Sequence, residues 1–154
     1  MQKSLYIRFP EAGKVEVCAE ELASPGPREV LLRAERSLIG AGTERYCLRG
    51  IFDPGTNWAN WVHYPFRPGY SMAATVVETG AAVEDYHAGD RVIISAPHQQ
   101  YLSVAPERLL LLPDGISWDE APWWSLANQT QVAVRRADLA LGESVAVVGL
   151  GLLG

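Results

Sequence analysis

Cysteine is scarce in this sequence, because only Cys18 and Cys47 occur among its 154 residues. A disulfide framework needs more cysteines, and a tetrahedral thiolate site uses a paired C-x2-C spacing that these two lack. A chain of this length buries about two-thirds of the surface that its unfolded form exposes, so its core does not depend on such cross-links. We therefore predict two free thiols and no structural zinc.

Long apolar runs and basic clusters are also missing. The longest apolar stretch begins at Val145 and is broken by glycines, well short of the about 20 residues that a membrane span requires. Residues 1–10 contain charges but no apolar core of a signal peptide. Lysine and arginine are scattered in a chain of net charge −5, which gives no electrostatic footprint for a polyanion. We therefore expect a cytoplasmic protein that has neither a membrane nor a nucleic acid as its partner.

What is present is the composition of a folded, strand-rich domain. Hydrophobic residues make up 48% and charged residues 20% of the chain, which excludes a disordered segment. Over residues 1–113, short apolar and β-branched runs recur between Gly, Pro and Asp clusters. These runs predict seven strands, over residues 5–9, 14–19, 29–37, 72–79, 91–95, 100–105 and 109–112. So many short strands indicate a closed or partly open β-barrel, with Met72–Thr79 as a buried strand.

Helical signals begin at Ser117. Ser117 and Glu120 have the spacing of a capping box, in which a hydroxyl and a carboxylate satisfy the free amides of a helix start. This box predicts a first helix that runs to about Leu126. A second helix is predicted over Gln129–Leu139.

A glycine pattern of the form G-x-G-x-x-G comes directly after the segment Ser144–Val148, which is typical of a buried parallel strand. In a dinucleotide fingerprint, Gly149 would permit the tight turn and Gly151 would let the backbone approach a pyrophosphate. Gly154 would let the next helix pack on the strand. We expect an unfinished site, because that helix and the acidic residue about 20 positions further on are not part of this sequence. The alternative is a glycine-rich tail that binds nothing.

Several spaced motifs together resemble one family. They are Gly89-Asp90-Arg91-Val92, Leu112-Pro113-Asp114-Gly115, Gly142-Glu143-Ser144-Val145 and the glycine pattern. In this order they resemble the medium-chain dehydrogenase/reductases over nearly the whole chain, and residues 37–45 and 68–71 look most like the bacteriochlorophyllide-dehydrogenase-like branch. The resemblance implies a mainly β fold, with a GroES-like, partly open β-barrel as the catalytic domain over residues 1–116. Linker helices over 117–142 and the truncated start of a Rossmann α/β domain, with its first strand, over 143–154 would come next.

The zinc-dependent members of that family hold their metal at three positions that this chain fills differently. Ala41 stands where they have a cysteine, Tyr70 where they have the histidine of a Gly-His-Glu motif, and Leu126 where they have a second cysteine. None of the three side chains offers a thiolate or an imidazole. The histidines lack a carboxylate or a cysteine at ligand spacing, and we interpret them as surface or loop residues. They are His63, His87 and His98. We therefore predict no metal site.

Hydroxyl groups are then the candidates for catalysis, because a carbonyl that accepts a hydride develops negative charge on oxygen and needs hydrogen-bond donors. Thr43 resembles the proton-relay hydroxyl of the family, which lies beside the nicotinamide. Tyr46 follows three residues later, and Tyr70 replaces the lost histidine ligand. The alternatives are that Thr43 caps a helical turn with Glu44 and that both tyrosines only pack. Thr130 resembles a threonine that lines the nicotinamide pocket, although an ordinary helical threonine is equally compatible with the spacing.

Aromatic residues crowd the segment between Phe52 and Tyr70, which fits neither the helical nor the strand period. The others are Trp58, Trp61, Tyr64 and Phe66. They would line a pocket for a flat or apolar substrate, form a lid or a subunit contact, or plug one end of the barrel. A second group flanks the linker helix, where we expect it to pack the barrel against the domain on its C-terminal side. It consists of Trp118, Trp123 and Trp124.

Two functions of different classes are compatible with this sequence. The first is the N-terminal portion of a zinc-independent oxidoreductase that uses NAD or NADP to reduce a carbonyl or an activated alkene, or to oxidise an alcohol. Its substrate would be a small, aromatic or apolar molecule, and a missing Rossmann domain would complete the cofactor site and form any homo-oligomer. We then expect this chain alone to be inactive. The second function is a free-standing GroES-like module that binds a partner or a small molecule without catalysis.

Overall fold

Seven strands form the main part of the fold in a computed structural model that describes residues 3–154. They are β1 (Lys3–Arg8), β2 (Glu16–Glu21), β3 (Val30–Ser37), β4 (Met72–Thr79), β5 (Arg91–Ile94), β6 (Tyr101–Val104) and β7 (Leu110–Leu111). Each overlaps one predicted strand, with ends displaced by at most two residues. The prediction of a mainly β fold is confirmed.

The strands form two antiparallel sheets that do not close on each other. One pairs β1 with β2, and the other has the order β6-β3-β4-β5-β7. Within residues 3–154, isolated bridges at Tyr6–Gln99 and Phe9–Phe66 join β1 and its end to neighbouring segments. The barrel is therefore partly open, as the resemblance implies.

Strand β4 is the centre of the larger sheet. It pairs with β3 on one side and β5 on the other, and Met72, Ala74 and Val76 are almost fully buried. Apolar residues of the neighbouring strands, among them Leu32 and Ile94, complete the main core. The continuous apolar run of β4 is explained by this position, because both of its edges and most of its length are covered.

Two helices between β3 and β4 were not predicted. Helix α1 spans Ala41–Arg49 and α2 spans Asn57–Trp61. Helix α1 buries Cys47 and the polar Glu44, so it lacks the apolar stripe that marks an amphipathic helix. Helix α2 is one turn long, and its cap is the Thr56 hydroxyl, which accepts a hydrogen bond from the Ala59 amide (3.4 Å).

The capping box forms as predicted, but the helices after it differ from the prediction. Ser117 Oγ accepts a hydrogen bond from the Glu120 amide (3.2 Å), and Glu120 Oε2 accepts one from the Ser117 amide (2.9 Å). A 3-10 turn over Ala121–Trp123 then leads into one helix, α3, over Trp124–Arg136. The predicted break after residue 126 is wrong, because no glycine or proline interrupts the helix there.

The segment Ser144–Val148 does not form the predicted strand. Within residues 3–154, no strand pairs with it, and Val145, Val147 and Val148 are exposed. A parallel strand exists only through backbone hydrogen bonds to a neighbour, and the larger sheet already ends at β6 and β7. The domain boundaries at residues 116 and 142 stay predictions. In the described part of the chain, no helix is long and apolar enough to cross a membrane.

Candidate active site

A cavity of about 620 Å³ separates the start of α1 from the last residues of the chain. Its lining includes Ala41, Tyr70 and Leu126, the three positions at which zinc-dependent relatives carry ligands. The fold therefore brings these positions to one place, where their methyl, phenol and isobutyl groups offer neither the thiolate nor the imidazole that zinc sites use. Among residues 3–154, no group of three His, Cys, Asp or Glu residues is arranged to hold a metal. Zinc independence of the protein stays a prediction.

Thr43 and Tyr70 meet in this cavity. Both line it, and the Thr43 hydroxyl lies close enough to the Tyr70 phenol to act on its pKa. The phenol lies directly against Gly40, where any side chain would collide with it. Burial first, and then the nearby charge of Glu44, raise the pKa of Tyr70, and the Thr43 hydroxyl only partly opposes them. The phenol therefore keeps its proton at neutral pH and can donate it.

Glu44 fixes the start of α1 beneath this pair. Its Oε1 accepts a hydrogen bond from the Gly40 amide (2.8 Å), and its Oε2 lies 2.8 Å from His98 Nε2. The N-cap residue is Gly40, without a side-chain cap, so the structure does not support the alternative in which Thr43 caps the turn. The hydroxyl of Thr43 is available to the cavity instead.

His98 is the residue that sequence analysis misplaced. His63 and His87 are exposed as predicted, but His98 is only 8% exposed and contacts Ser37 Oγ through Nδ1 (2.8 Å). Glu44 and His98 are 54 positions apart, and no local pattern in the sequence signals a pair over that distance. His98 lies between β5 and β6 and so outside the strands, but the interpretation of it as a surface residue is wrong.

Tyr46 does not join Thr43 and Tyr70. It lies on the outer face of α1, 61% exposed, and lines a different cavity with Arg45 and Arg49. Its ring centroid is 6.4 Å from that of Trp58. The structure therefore brings together two of the three predicted catalytic hydroxyls, and a catalytic role for Tyr46 stays a prediction.

Thr130 is also separate from this pair. Its hydroxyl donates a hydrogen bond to the Ala127 carbonyl (2.9 Å), as an ordinary helical threonine does. It lines a third cavity, which also contains Val145 and Gly154. A role for Thr130 beside a nicotinamide therefore stays a prediction.

The glycines of the C-terminal pattern form one wall of the Thr43–Tyr70 cavity. Gly149 has a φ of +93°, and a side chain at Gly154 would collide with the Gly149 carbonyl. The space around Gly151 is open. This bare backbone fits the close approach of a pyrophosphate. Within residues 3–154, however, no helix N-terminus comes after the turn to supply oriented amides and a dipole.

The aromatic residues between Phe52 and Tyr70 divide into two groups. Phe52, Tyr64 and Phe66 pack against a small core that contains Cys47, and the plug alternative stays a prediction. Trp58 and Trp61 remain 39% and 49% exposed.

The tryptophans near the linker also divide. Trp118 packs beside buried Ala121, beneath the guanidinium of Arg91 at 4.4 Å from its ring centroid. This contact lies within residues 3–154, and the expectation that Trp118, Trp123 and Trp124 pack the barrel against a domain on its C-terminal side stays a prediction. Trp123 remains exposed.

Comparison with known families identifies the class of this fold. The profile of the alcohol dehydrogenase GroES-like domain matches residues 26–110, which is more than half of the chain. The chain belongs to this family and thus to the medium-chain dehydrogenase/reductase superfamily. The resemblance drawn from the sequence motifs is confirmed at this level, and the narrower branch stays a prediction.

Individual relatives are dehydrogenases and oxidoreductases. D-guloside 3-dehydrogenase of Shigella flexneri is 33% identical over 92 residues, covering 58% of this chain and 26% of its own. The (R,R)-butanediol dehydrogenase of Bacillus subtilis (strain 168) is 29% identical over 117 residues, covering 58% of this chain and 34% of its own.

A solved structure, the quinone oxidoreductase from Coxiella burnetii, has the same fold. The TM-score is 0.72 at 18% sequence identity, and the match covers 92% of this chain and 47% of that chain. The chain therefore spans about a quarter to a third of the length of these curated relatives and under half of this solved chain.

Proposed function

We propose that this chain is the catalytic-domain portion of an oxidoreductase that uses NAD or NADP and no zinc. The observation that carries the proposal is the shared cavity. In it the Thr43–Tyr70 pair and the glycines of the fingerprint face the same space, and the former zinc positions carry no metal ligand. Similarity to named dehydrogenases and oxidoreductases supports the same class.

The substrate would be a small molecule with a carbonyl, an activated alkene or an alcohol. Gly149 and Gly151 would hold the cofactor against the cavity, and NAD(P)H would supply the hydride when bound. As a carbonyl is reduced, its oxygen gains negative charge, and the protonated phenol of Tyr70 donates a hydrogen bond and then its proton to that oxygen. In alcohol oxidation the phenol would first have to lose its proton to solvent, and the resulting phenolate would then accept the alcohol proton.

Thr43 orients the Tyr70 phenol and returns a proton to it. Its hydroxyl both accepts and donates hydrogen bonds, so it holds the phenol in place and passes on the proton that Tyr70 must regain after each turnover. Partial burial of the phenol reduces the competition from water for the substrate oxygen, which strengthens the hydrogen bond. The Glu44 contact to the Gly40 amide keeps the start of α1, and thus Thr43, at a fixed distance from Tyr70.

The decisive experiment is turnover by the complete gene product after dialysis against a chelator. We expect oxidation of NADH or NADPH with at least one member of a panel of quinones, aldehydes, enones and keto sugars, at a rate that added zinc does not change. An activity that disappears on chelation and returns with zinc would contradict zinc independence. A protein that folds and binds nucleotide but turns over no member of the panel in either direction would favour the non-catalytic module.

A further inference from the structure

A second cavity lies on the outer face of α1. It measures about 500 Å³ and is lined by Ala41, Gly42, Arg45, Tyr46, Arg49 and Ile51. Ala41 and Gly42 also line the Thr43–Tyr70 cavity. The two cavities therefore share the first turn of α1 as part of their walls.

Two arginines define the charge of this outer cavity. Arg45 and Arg49 are four residues apart on α1, so their side chains lie on the same face of the helix. In the described part of the chain, neither makes a hydrogen bond or an ion pair. Arg28, Arg135 and Arg136 also lack such a partner, but Arg45 and Arg49 line one cavity together. The other six arginines are engaged. The engaged ones are Arg8, Arg33, Arg36, Arg67, Arg91 and Arg108.

The arginine pair is not explained by the stability of the helix. Arg49 lies in the last turn of α1, where a positive charge favours the dipole. Arg45 lies a full turn earlier and only adds a like charge at i,i+4 spacing, which destabilises a helix. Two unpaired guanidinium groups that line one cavity in a chain of net charge −5 point instead to an anionic ligand.

A row of aromatic rings begins at one wall of this space. Tyr46 lines the cavity, and the ring centroids of Tyr46, Trp58 and Trp61 follow one another at 6.4 and 5.8 Å. All three rings are exposed to solvent, although burying aromatic surface is strongly favourable. A flat ring laid against Tyr46 and Trp58 would cover them and place its anionic group at the arginines.

We propose that this outer cavity binds an organic anion, a carboxylate or a phosphate attached to a flat ring, as the non-reacting end of the substrate. Guanidinium groups bind both anions through paired N–H···O contacts, and the aromatic faces select a ring over a short aliphatic chain. The identification as substrate rests on the proposed function of the adjacent cavity. Binding of the anion itself does not.

Calorimetric titration of the 154-residue chain at low salt tests this proposal. The probes are benzoate, phenyl phosphate, acetate and the neutral benzyl alcohol. We expect one of the two aromatic anions or both to bind with one site per chain, acetate and benzyl alcohol to bind far more weakly, and salt to weaken the binding. The relative affinity of benzoate and phenyl phosphate then shows which anion the cavity takes.

A charge-matched pair of double variants locates the site. Arg45→Gln with Arg49→Gln should weaken the aromatic anion by about tenfold or more, because each guanidinium contributes charge-assisted hydrogen bonds. Arg135→Gln with Arg136→Gln removes the same charge from the end of α3 and should leave the affinity within about twofold of the unchanged chain. Circular dichroism of both proteins checks that the fold is retained.

A third variant tests the aromatic half. Trp58→Leu should weaken benzoate or phenyl phosphate and leave the weak binding of acetate unchanged. The proposal is overturned if no aromatic anion binds, if benzyl alcohol binds as well as benzoate, or if both arginine pairs contribute equally. Such a failure would leave the proposed roles of Thr43 and Tyr70 intact, because the titration involves neither cofactor nor turnover.

Discussion

His98 Nε2 lies 2.8 Å from Glu44 Oε2, and both side chains are about nine-tenths buried. The backbone of His98 also donates to the Pro68 carbonyl (2.8 Å) and accepts from the Ile7 amide (3.0 Å). One residue thus connects β1, the segment before Tyr70 and the first turn of α1. The position of Thr43 relative to Tyr70 depends on this connection.

Replacing Glu44 should therefore destabilise the whole domain. Glu44→Leu leaves the Gly40 amide and a ring nitrogen of His98 without partners, and we expect a loss of about 3 kcal/mol in the free energy of unfolding. Glu44→Gln keeps both hydrogen-bonding positions and should lose clearly less. Urea unfolding of the 154-residue chain measures both, with Glu107→Leu, at an exposed glutamate, as control. Equal losses for the Leu and Gln variants would contradict the role of these hydrogen bonds.

The two thiols should differ in reactivity. Cys47 is fully buried, and this burial, with the nearby Glu44, raises its pKa. A raised pKa means that the stability contributed by the neutral thiol is present below the usual cysteine pKa of about 8.5 and is lost as the pH rises above it. With an aromatic disulfide reagent at pH 8, we expect one fast thiol in the folded chain and two after unfolding. Cys18→Ser should remove the fast one, and rapid reaction of Cys47 in the folded chain would contradict its burial.

The sequence predicted what depends on local patterns. Strand β4 and the capping box of Ser117 and Glu120 were found because a continuous apolar run and the cap spacing are local signals. Ala41, Tyr70 and Leu126 were connected only by resemblance to a family, and their convergence in one cavity depends on the tertiary fold.

Long-range contacts explain most of what sequence analysis missed. The Glu44–His98 contact joins residues that no spacing rule relates, and α1 buries a carboxylate where helix periodicity requires an apolar residue. The segment Ser144–Val148 shows the opposite error. Its composition suits a buried strand, yet a strand also needs a neighbour, which composition does not reveal.

Restoring the three family ligands tests whether loss of metal binding is local. Because Ala41, Tyr70 and Leu126 line one cavity, the combined substitutions Ala41→Cys, Tyr70→His and Leu126→Cys should give a chain that retains about one zinc ion after dialysis. The unchanged chain should retain none. Elemental analysis of both proteins, purified without a chelator, measures this. Stoichiometric zinc in the unchanged chain would refute the prediction.

Nucleotide binding by the 154-residue chain should be weak. Gly149 and Gly151 offer a bare backbone, but within residues 3–154 no helix N-terminus comes after them to bind phosphate. We expect dissociation constants for NAD and NADP of about 1 mM or weaker by calorimetry, which corresponds to a binding free energy of at most about 4 kcal/mol. Micromolar binding would mean that the turn and the cavity suffice on their own.

The last prediction concerns the Thr43–Tyr70 pair in the complete gene product, assayed with whichever substrate of the panel is turned over. Tyr70→Phe removes the proposed proton donor and should lower kcat by about 100-fold, since loss of one such donor costs about 3 kcal/mol in the transition state. Thr43→Val keeps the shape of the side chain and removes the hydroxyl that orients the phenol. Thr43→Val should therefore also lower kcat, and it should leave the free energy of unfolding nearly unchanged.

Tyr86→Phe is the matched control, because its hydroxyl donates to the Leu109 carbonyl (3.0 Å) and does not line the cavity. It should lose about 1 kcal/mol of stability and no activity. Tyr46→Phe tests the outer face of α1. If kcat falls about 100-fold in Tyr46→Phe and stays unchanged in Tyr70→Phe, the proton donor lies in the outer cavity. If Thr43→Val instead loses stability and keeps its kcat, its hydroxyl is structural, and the proton reaches the substrate oxygen by another route, such as water or a ribose hydroxyl of the cofactor.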